Sequence, residues 1–163
     1  MKQTIETPQV LIEALPYIQQ YKNKIVVIKV GGKVLENEDL KKAFIKDIIL
    51  LNHVGIHPVI VHGGGPSIDK ALKKAKMQIK KVHGLRVTNK KTLAIVKNTM
   101  KTINNDLVKH IKKEKDNATT ANVNLIKVKQ KDKKLGYVGK IKNINTKKYS
   151  AYSTKKPFLF SHP

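Results

Sequence analysis

The stretch His57-Pro58-Val59-Ile60-Val61-His62-Gly63-Gly64-Gly65-Pro66 decides the fold. Its first half is a continuous apolar, β-branched run, the pattern of a strand buried on both faces of a sheet. It stops on three glycines, after which Ile68, Leu72 and Ala75 recur at helical spacing, with Pro66 in the first turn where no donor is needed. Upstream, Lys24-Ile25-Val26-Val27-Ile28-Lys29-Val30 reads the same way, and it too ends on glycines, Gly31 and Gly32. Between the two strands a helix from about Glu38 to Val54 carries Leu40, Ala43, Phe44, Asp47, Ile48 and Leu51 and stops at Gly55. Strand, helix, strand, glycine turn and helix make a right-handed crossover, hence an α/β fold with a parallel sheet and helices on its faces. Ligands of such sheets bind beyond the carboxyl ends of the strands, where both glycine clusters fall.

Further from this centre, Thr7-Pro8 followed by Val10, Leu11, Ala14, Leu15 and Ile18 predicts a capped amphipathic helix near the N-terminus. A long helix is expected from Lys90 to Lys113, carrying Leu93, Val96, Met100, Ile103, Leu107 and Ile111. Asn122 to Val128 reads as a strand and Leu135 to Ile141 as a hairpin arm, while residues 146–163 show no convincing element. No internal repeat or dividing linker is present. The expected organisation is an N-terminal helix over 1–22, a ligand-binding lobe over 23–145 and an irregular tail over 146–163.

The 163 residues suffice for one domain with a proper core. The formal charge of +23, from 34 basic and 11 acidic residues, raises nucleic acid as a partner. The lysines are scattered through every expected helix and loop, and aromatic residues to stack on bases are few, so specific nucleic-acid binding is not expected. The sequence has no apolar run long enough to cross a membrane, no cysteine and no apolar core of a signal peptide at its start. A soluble protein of a cytoplasm or a plastid stroma is the expectation. His53, His57, His62 and His83 read as strand-end or surface histidines, since no Cys or paired His spacing supports a metal site. Asp47 either caps or pairs inside the sheet layer, and the sequence leaves this open.

Gly63-Gly64-Gly65 opening a helix is anion-binding geometry: without Cβ atoms, backbone N–H groups approach oxygens closely and the helix dipole adds positive potential. By itself the cluster can also be read as a tight strand-to-helix turn. Lys29 ahead of Gly31-Gly32 supplies a second cradle plus an ammonium. The one arginine of the chain, in His83-Gly84-Leu85-Arg86-Val87-Thr88, stands where every other basic residue is lysine. A guanidinium grips a carboxylate bidentately and an ammonium does not, so Arg86 is a candidate anion contact. Together these residues outline a pocket for two anionic groups, a carboxylate on Arg86 and a phosphoryl group over the glycines.

Lys29-Val30-Gly31-Gly32, His62-Gly63-Gly64-Gly65-Pro66 and Gly84-Leu85-Arg86-Val87-Thr88, in this order and spacing, resemble the N-acetylglutamate kinases of the amino-acid kinase superfamily. Asp47 to Gly55 and Leu135-Gly136-Tyr137-Val138-Gly139 extend the resemblance to roughly residues 8 to 145. It implies a three-layer αβα sandwich with a mainly parallel central sheet, and transfer of the ATP γ-phosphoryl group to the side-chain carboxylate of N-acetyl-L-glutamate, with Mg2+ carried by the nucleotide. Lys29 would then stabilise the transferring phosphoryl group, with Gly31, Gly32 and Gly63 around the phosphate. Gly64 and Gly65 would hold the substrate, and Arg86 would clamp its α-carboxylate. Val10 to Ile18 resembles the extra helix through which arginine-sensitive members join into hexamers, which implies a homo-oligomer; the alternative is a helix folded back on its own domain. Members of that family run well beyond this length, so the C-terminal half, with most of the nucleotide site, is expected to be missing and the chain to be inactive alone. The segment Ala118 to Asn124 departs from the glycine-rich stretch usual there.

Overall fold

The structure, a computed structural model, describes residues 7–120, 125–147 and 158–161. In chain order the elements are α1 (Thr7–Tyr21), β1 (Ile25–Val30), α2 (Gly32–Glu36), α3 (Glu38–His53), β2 (His57–His62), α4 (Gly65–Lys74), β3 (Lys81–Val82), β4 (Leu85–Arg86), α5 (Lys90–Lys113), β5 (Ala118–Thr120), β6 (Ile126–Gln130), β7 (Gly139–Ile144) and β8 (Phe158–Ser161). Four strands form one sheet in the order β1-β2-β8-β5, and every pairing in it is parallel. Two antiparallel hairpins, β3–β4 and β6–β7, complete the described strands.

The crossover expected from the sequence is present because each part is locally encoded. Asn37 caps α3 by accepting from the Asp39 and Leu40 N–H groups, both at 3.0 Å, and Glu38 and Asp39 complement the positive end of the helix. Gly55, at φ +87°, turns the chain in a conformation that disfavours a side chain, and β2 begins two residues later. Ile45 and Ile48 of α3 and Leu107 and Ile111 of α5 then bury against Val30 and Ile60. Each such side chain contributes roughly 1.5–3 kcal/mol relative to exposure. A second cluster, Ile68, Leu72 and Met100, joins α4 to α5. Across the first contact Lys41, 5 % exposed, donates to Glu38 Oε1 at 2.8 Å and to Asp106 Oδ2 at 2.9 Å, tying α3 to α5.

Three expectations need correction. β2 is buried as its pattern predicts, but β1 is not buried on both faces: Val27 is 65 % and Ile25 41 % exposed. β1 pairs only with β2 among the described residues, and its Ile25-Val27-Lys29 face is left open. Of the strand expected over 122–128, residues 122–124 lie outside the described residues and the end is strand as expected, in β6, which runs on to Gln130; β5 over Ala118–Thr120 was not expected. The hairpin arm starts late, at Gly139, because Asp132 caps a short 3-10 turn over Lys133–Leu135 and Gly136 reverses the chain at φ +70°. Residues 158–161, assigned to an irregular tail, form β8 in the middle of the sheet. Four residues carry too little periodicity to announce a strand; pairing with β2 and β5 imposes it.

The N-terminal helix forms as expected, around an internal Pro16, yet Val10, Leu11, Ile12, Leu15 and Tyr17 on it are all exposed. Asp47, whose place was open, is exposed on α3.

Candidate anion-binding site

β1 and β2 run in register with Val30 opposite His62, so the two glycine segments leave the sheet side by side. Their backbones touch. The Gly63 N–H donates to the Val30 carbonyl at 2.9 Å. A Cβ on Gly32 would stand 3.2 Å from the Gly63 oxygen and 3.1 Å from Pro66 Cδ, and one on Gly63 would stand 3.3 Å from the Gly32 nitrogen. Side chains at either position would push the turns apart, so these two glycines are required by close approach.

Gly31 precedes α2 and Gly64 precedes α4, and neither helix has a side-chain cap. The first N–H groups of an uncapped helix have no intrahelical partner and face outward with the positive end of the dipole. A Cβ on Gly31 or on Gly65 would meet nothing within 4 Å, so the backbone there is open to a ligand. Gly64 differs: it is buried, and its bare side packs on Met100 and Ile103 of α5. Of the three consecutive glycines, one seals the strand turn, one packs a helix and one is open.

Arg86 lies on a tight hairpin. His83 and Gly84 both have positive φ, 48° and 76°, as a two-residue primed turn requires. Lys81 and Arg86 are directly opposite across the two strands, and both reach Asp69 on α4. Arg86 Nη2 donates to Asp69 Oδ1, and Lys81 Nζ donates to Oδ2 at 3.3 Å. Burial raises the Asp69 carboxyl, but hydrogen bonds and charge from Arg86 and Lys81 outweigh it and hold the group below its ordinary value. Arg86 Nη1 is buried and has no hydrogen-bond partner. An unmet guanidinium donor costs about 1–3 kcal/mol or more, which an incoming oxygen relieves. Arg86 thus contacts an anion of its own chain, the Asp69 carboxylate, and its Nη1 is left without a partner.

Lys29 is exposed near the carboxyl end of β1, opposite Val61, and has no carboxylate partner among the described residues. The structure therefore gathers Gly31, Gly32, Gly63, Gly64 and Gly65 at one sheet edge. Asp69, four residues into α4 from Gly65, anchors Arg86 to the helix that this edge opens. Lys29 adjoins them along its strand, without a side-chain contact to Arg86.

Sequence reading missed Asp69. Its only signal was an acid in a helix otherwise studded with lysines. Beside the glycine edge, Leu35, Ser67, Thr99, Thr102 and Asp106 line a cleft of about 310 Å3 between α2, α4 and α5. His62 is buried, 1 % exposed, and so is not the surface histidine that was one of the two expectations. The Asn104 amide is also buried with neither of its atoms hydrogen-bonded, and nothing on the described residues accounts for it. Among the described residues no group of three or more His, Cys, Asp and Glu could hold a metal ion, and no helix is long and apolar enough to cross a membrane.

Residues 24–159 match the model of the amino acid kinase family. The chain is 40 % identical over 157 residues to an acetylglutamate kinase of Hydrogenobaculum sp., covering 90 % of this chain and 55 % of that protein. It is 42 % identical over 149 residues to the acetylglutamate kinase of Methanothrix thermoacetophila, covering 84 % and 52 %. The chain thus spans about half the length of the curated relatives it matches. Among solved structures, the N-acetylglutamate synthase of Neisseria gonorrhoeae complexed with coenzyme A and N-acetyl-glutamate superposes with a TM-score of 0.80 at 22 % identity, over 94 % of this chain and 36 % of that one. The smu.665 protein of Streptococcus mutans superposes at 0.76 with 26 % identity, over 85 % and 58 %. The first of these likenesses speaks to the fold alone.

Proposed function

Because the chain belongs to the amino acid kinase family, we propose that it forms the substrate-binding lobe of an acetylglutamate kinase, which passes the ATP γ-phosphoryl group to the side-chain carboxylate of N-acetyl-L-glutamate in arginine biosynthesis. The observation that carries this reading is the backbone contact between the Gly31-Gly32 and Gly63-Gly64-Gly65 turns. Two uncapped helix starts side by side concentrate N–H donors and positive potential where charge gathers on a transferring phosphoryl group.

In this reading the open backbone at Gly31 and Gly65 fits phosphoryl or carboxylate oxygens, which need close approach without Cβ atoms. Lys29, unpaired and exposed, lays its ammonium over the transferring group. Gly32 and Gly63 keep the two turns together, and Gly64 fixes α4 against α5. Arg86 Nη1 takes the substrate's α-carboxylate. ATP supplies the phosphoryl group and brings Mg2+ with it. The protein acts in the cytoplasm or a plastid stroma, and the apolar residues exposed on α1 join it to further copies of itself. A complementing C-terminal half is the other partner this reading allows.

Calorimetric titration of N-acetyl-L-glutamate tests the site. Binding is expected, and Arg86→Lys weakens it about tenfold or more, since an ammonium lacks the rigid planar fork that meets Asp69 and the ligand in fixed directions. No binding to the wild-type chain sinks the proposal. The chain spans about half the length of its curated relatives, and each transition-state donor that a complementing half would supply is worth about 10²–10³ in rate. The polypeptide alone is therefore expected to bind without turnover, and substrate-dependent ADP release in a coupled assay would refute this. The exposed apolar residues of α1 favour a second reading, a non-catalytic binding or assembly module derived from the same kinase, for which N-acetyl-L-glutamate binding is absent while self-association persists.

A further inference from the structure

We propose that Asp69 is a positioning residue that sets how Arg86 meets its ligand: it holds Nη2 of the guanidinium and so fixes the direction in which the remaining N–H donors meet a carboxylate oxygen. The inference rests on the reading of the site as one for N-acetyl-L-glutamate. Three observations carry it. Lys81 and Arg86 are cross-strand partners, so the carboxylate of Asp69 staples both strands of the β3–β4 hairpin to α4. The Arg86 side chain is 14 % exposed, and its Nη1 is buried with no acceptor. Asp69 lies on the same helix whose first residue, Gly65, has open backbone, so the staple fixes the guanidinium relative to that opening.

A long arginine side chain loses substantial rotamer entropy when it is held. The staple removes that freedom before the ligand arrives, so the ligand gains a directed hydrogen bond without having to order the side chain. The arrangement also limits what is recognised. With Nη2 engaged, fewer of the five guanidinium donors are left for a ligand, and the charge of Asp69 cancels one of the two cations beside it. A singly charged α-carboxylate matches this arrangement better than a phosphate dianion does.

The sign of one substitution separates this role from simple electrostatics. Asp69→Asn keeps the shape and removes a negative charge beside an anion site. Electrostatics alone makes an anionic ligand bind more tightly; loss of positioning makes it bind more weakly. Because Arg86 is the only arginine, the guanidinium region of a 15N–1H NMR spectrum holds one Nε–H signal, which reports the staple without any ligand. Wild type is expected to show hindered guanidinium rotation, Asp69→Asn fast rotation, and the Kd for N-acetyl-L-glutamate to rise about tenfold or more in that variant. Asp69→Glu, which keeps the charge, should recover part of the affinity. Lys81→Met, which leaves the Arg86 staple intact, should stay within about threefold.

An Nε–H signal indifferent to Asp69→Asn overturns the proposal, as does unchanged or tighter binding by that variant while Arg86→Lys weakens it; in both cases the kinase reading stands. A tenfold loss in Lys81→Met also overturns it, because affinity would then follow hairpin docking in general. Should Asp69→Asn not fold, the Asp69→Glu spectrum decides: a longer arm that leaves the Nε–H signal unmoved overturns the staple. Failure of wild type to bind N-acetyl-L-glutamate while its guanidinium is hindered removes the kinase reading and this inference together.

Discussion

Met100 closes one side of Gly64: its Sδ lies 2.5 Å from where a β-carbon on that glycine would stand, and Ile103 Cδ1 lies 3.0 Å away. Met100 is itself 4 % exposed, so it has little room to withdraw. The contact splits the roles of neighbouring glycines that look alike in sequence.

Gly64→Ala should therefore destabilise by about 1–3 kcal/mol through overpacking of the α4–α5 contact. Gly65→Ala meets nothing and sits in a helix, so its stability should change by no more than about 0.5 kcal/mol, while the added methyl covers open backbone and weakens N-acetyl-L-glutamate binding. Urea denaturation paired with calorimetry reads both. Equal stability losses in the two variants would contradict the assignment.

The hairpin staple should be sensitive to acid. Asp69 in the folded chain titrates below its ordinary value of 3.8, burial being outweighed by Arg86 and Lys81. A depressed carboxyl contributes stability that is complete above the unfolded value and is lost as pH falls through the folded one. The Arg86 Nε–H signal should thus be constant from neutral pH down to about 4 and change only below that. A change centred near pH 6 would point to a histidine instead.

Lys41 predicts the opposite limb. Burial lowers its ammonium, but the hydrogen bonds it donates to Glu38 and Asp106, with their negative charge, raise it further, leaving it above 10.5. A raised lysine contributes stability that is complete below the unfolded value and fades as pH rises through the folded one. Lys41→Met should cost about 1–3 kcal/mol at neutral pH by parting α3 from α5. The gap between variant and wild type should narrow above pH 10.5, and a constant gap across that range would count against the ion pair.

Gly136 is the most constrained glycine of the chain. It has φ +70°, and a β-carbon there would run into the Thr88 carbonyl, which also accepts from the Tyr137 N–H at 2.7 Å. Gly136→Ala should cost more than about 3 kcal/mol, strain and clash together, and should detach the β6–β7 hairpin from the loop after Arg86. Hydrogen exchange at Thr88 and Tyr137 would report it, and unaltered protection would exclude it.

The sequence by itself determined the parts whose information is local. The apolar run of β2, the spacing of α3 and α5, and the glycine stops at Gly31 and Gly63 each lie within one element, so period and turn chemistry sufficed to find them. The single arginine was legible too, because composition made it an exception. Tertiary structure alone decided what depends on partners distant in sequence. β8 exists through its pairing with β2 and β5, β1 stays open on one face because nothing among the described residues covers it, and Gly64 differs from Gly65 through Met100 and Ile103. Asp69 and Arg86 are 17 residues apart, and no periodicity links a helix to a hairpin at that distance. Charge and hydrogen bonding act through space, so the partner that directs Arg86 emerged only once the chain had folded.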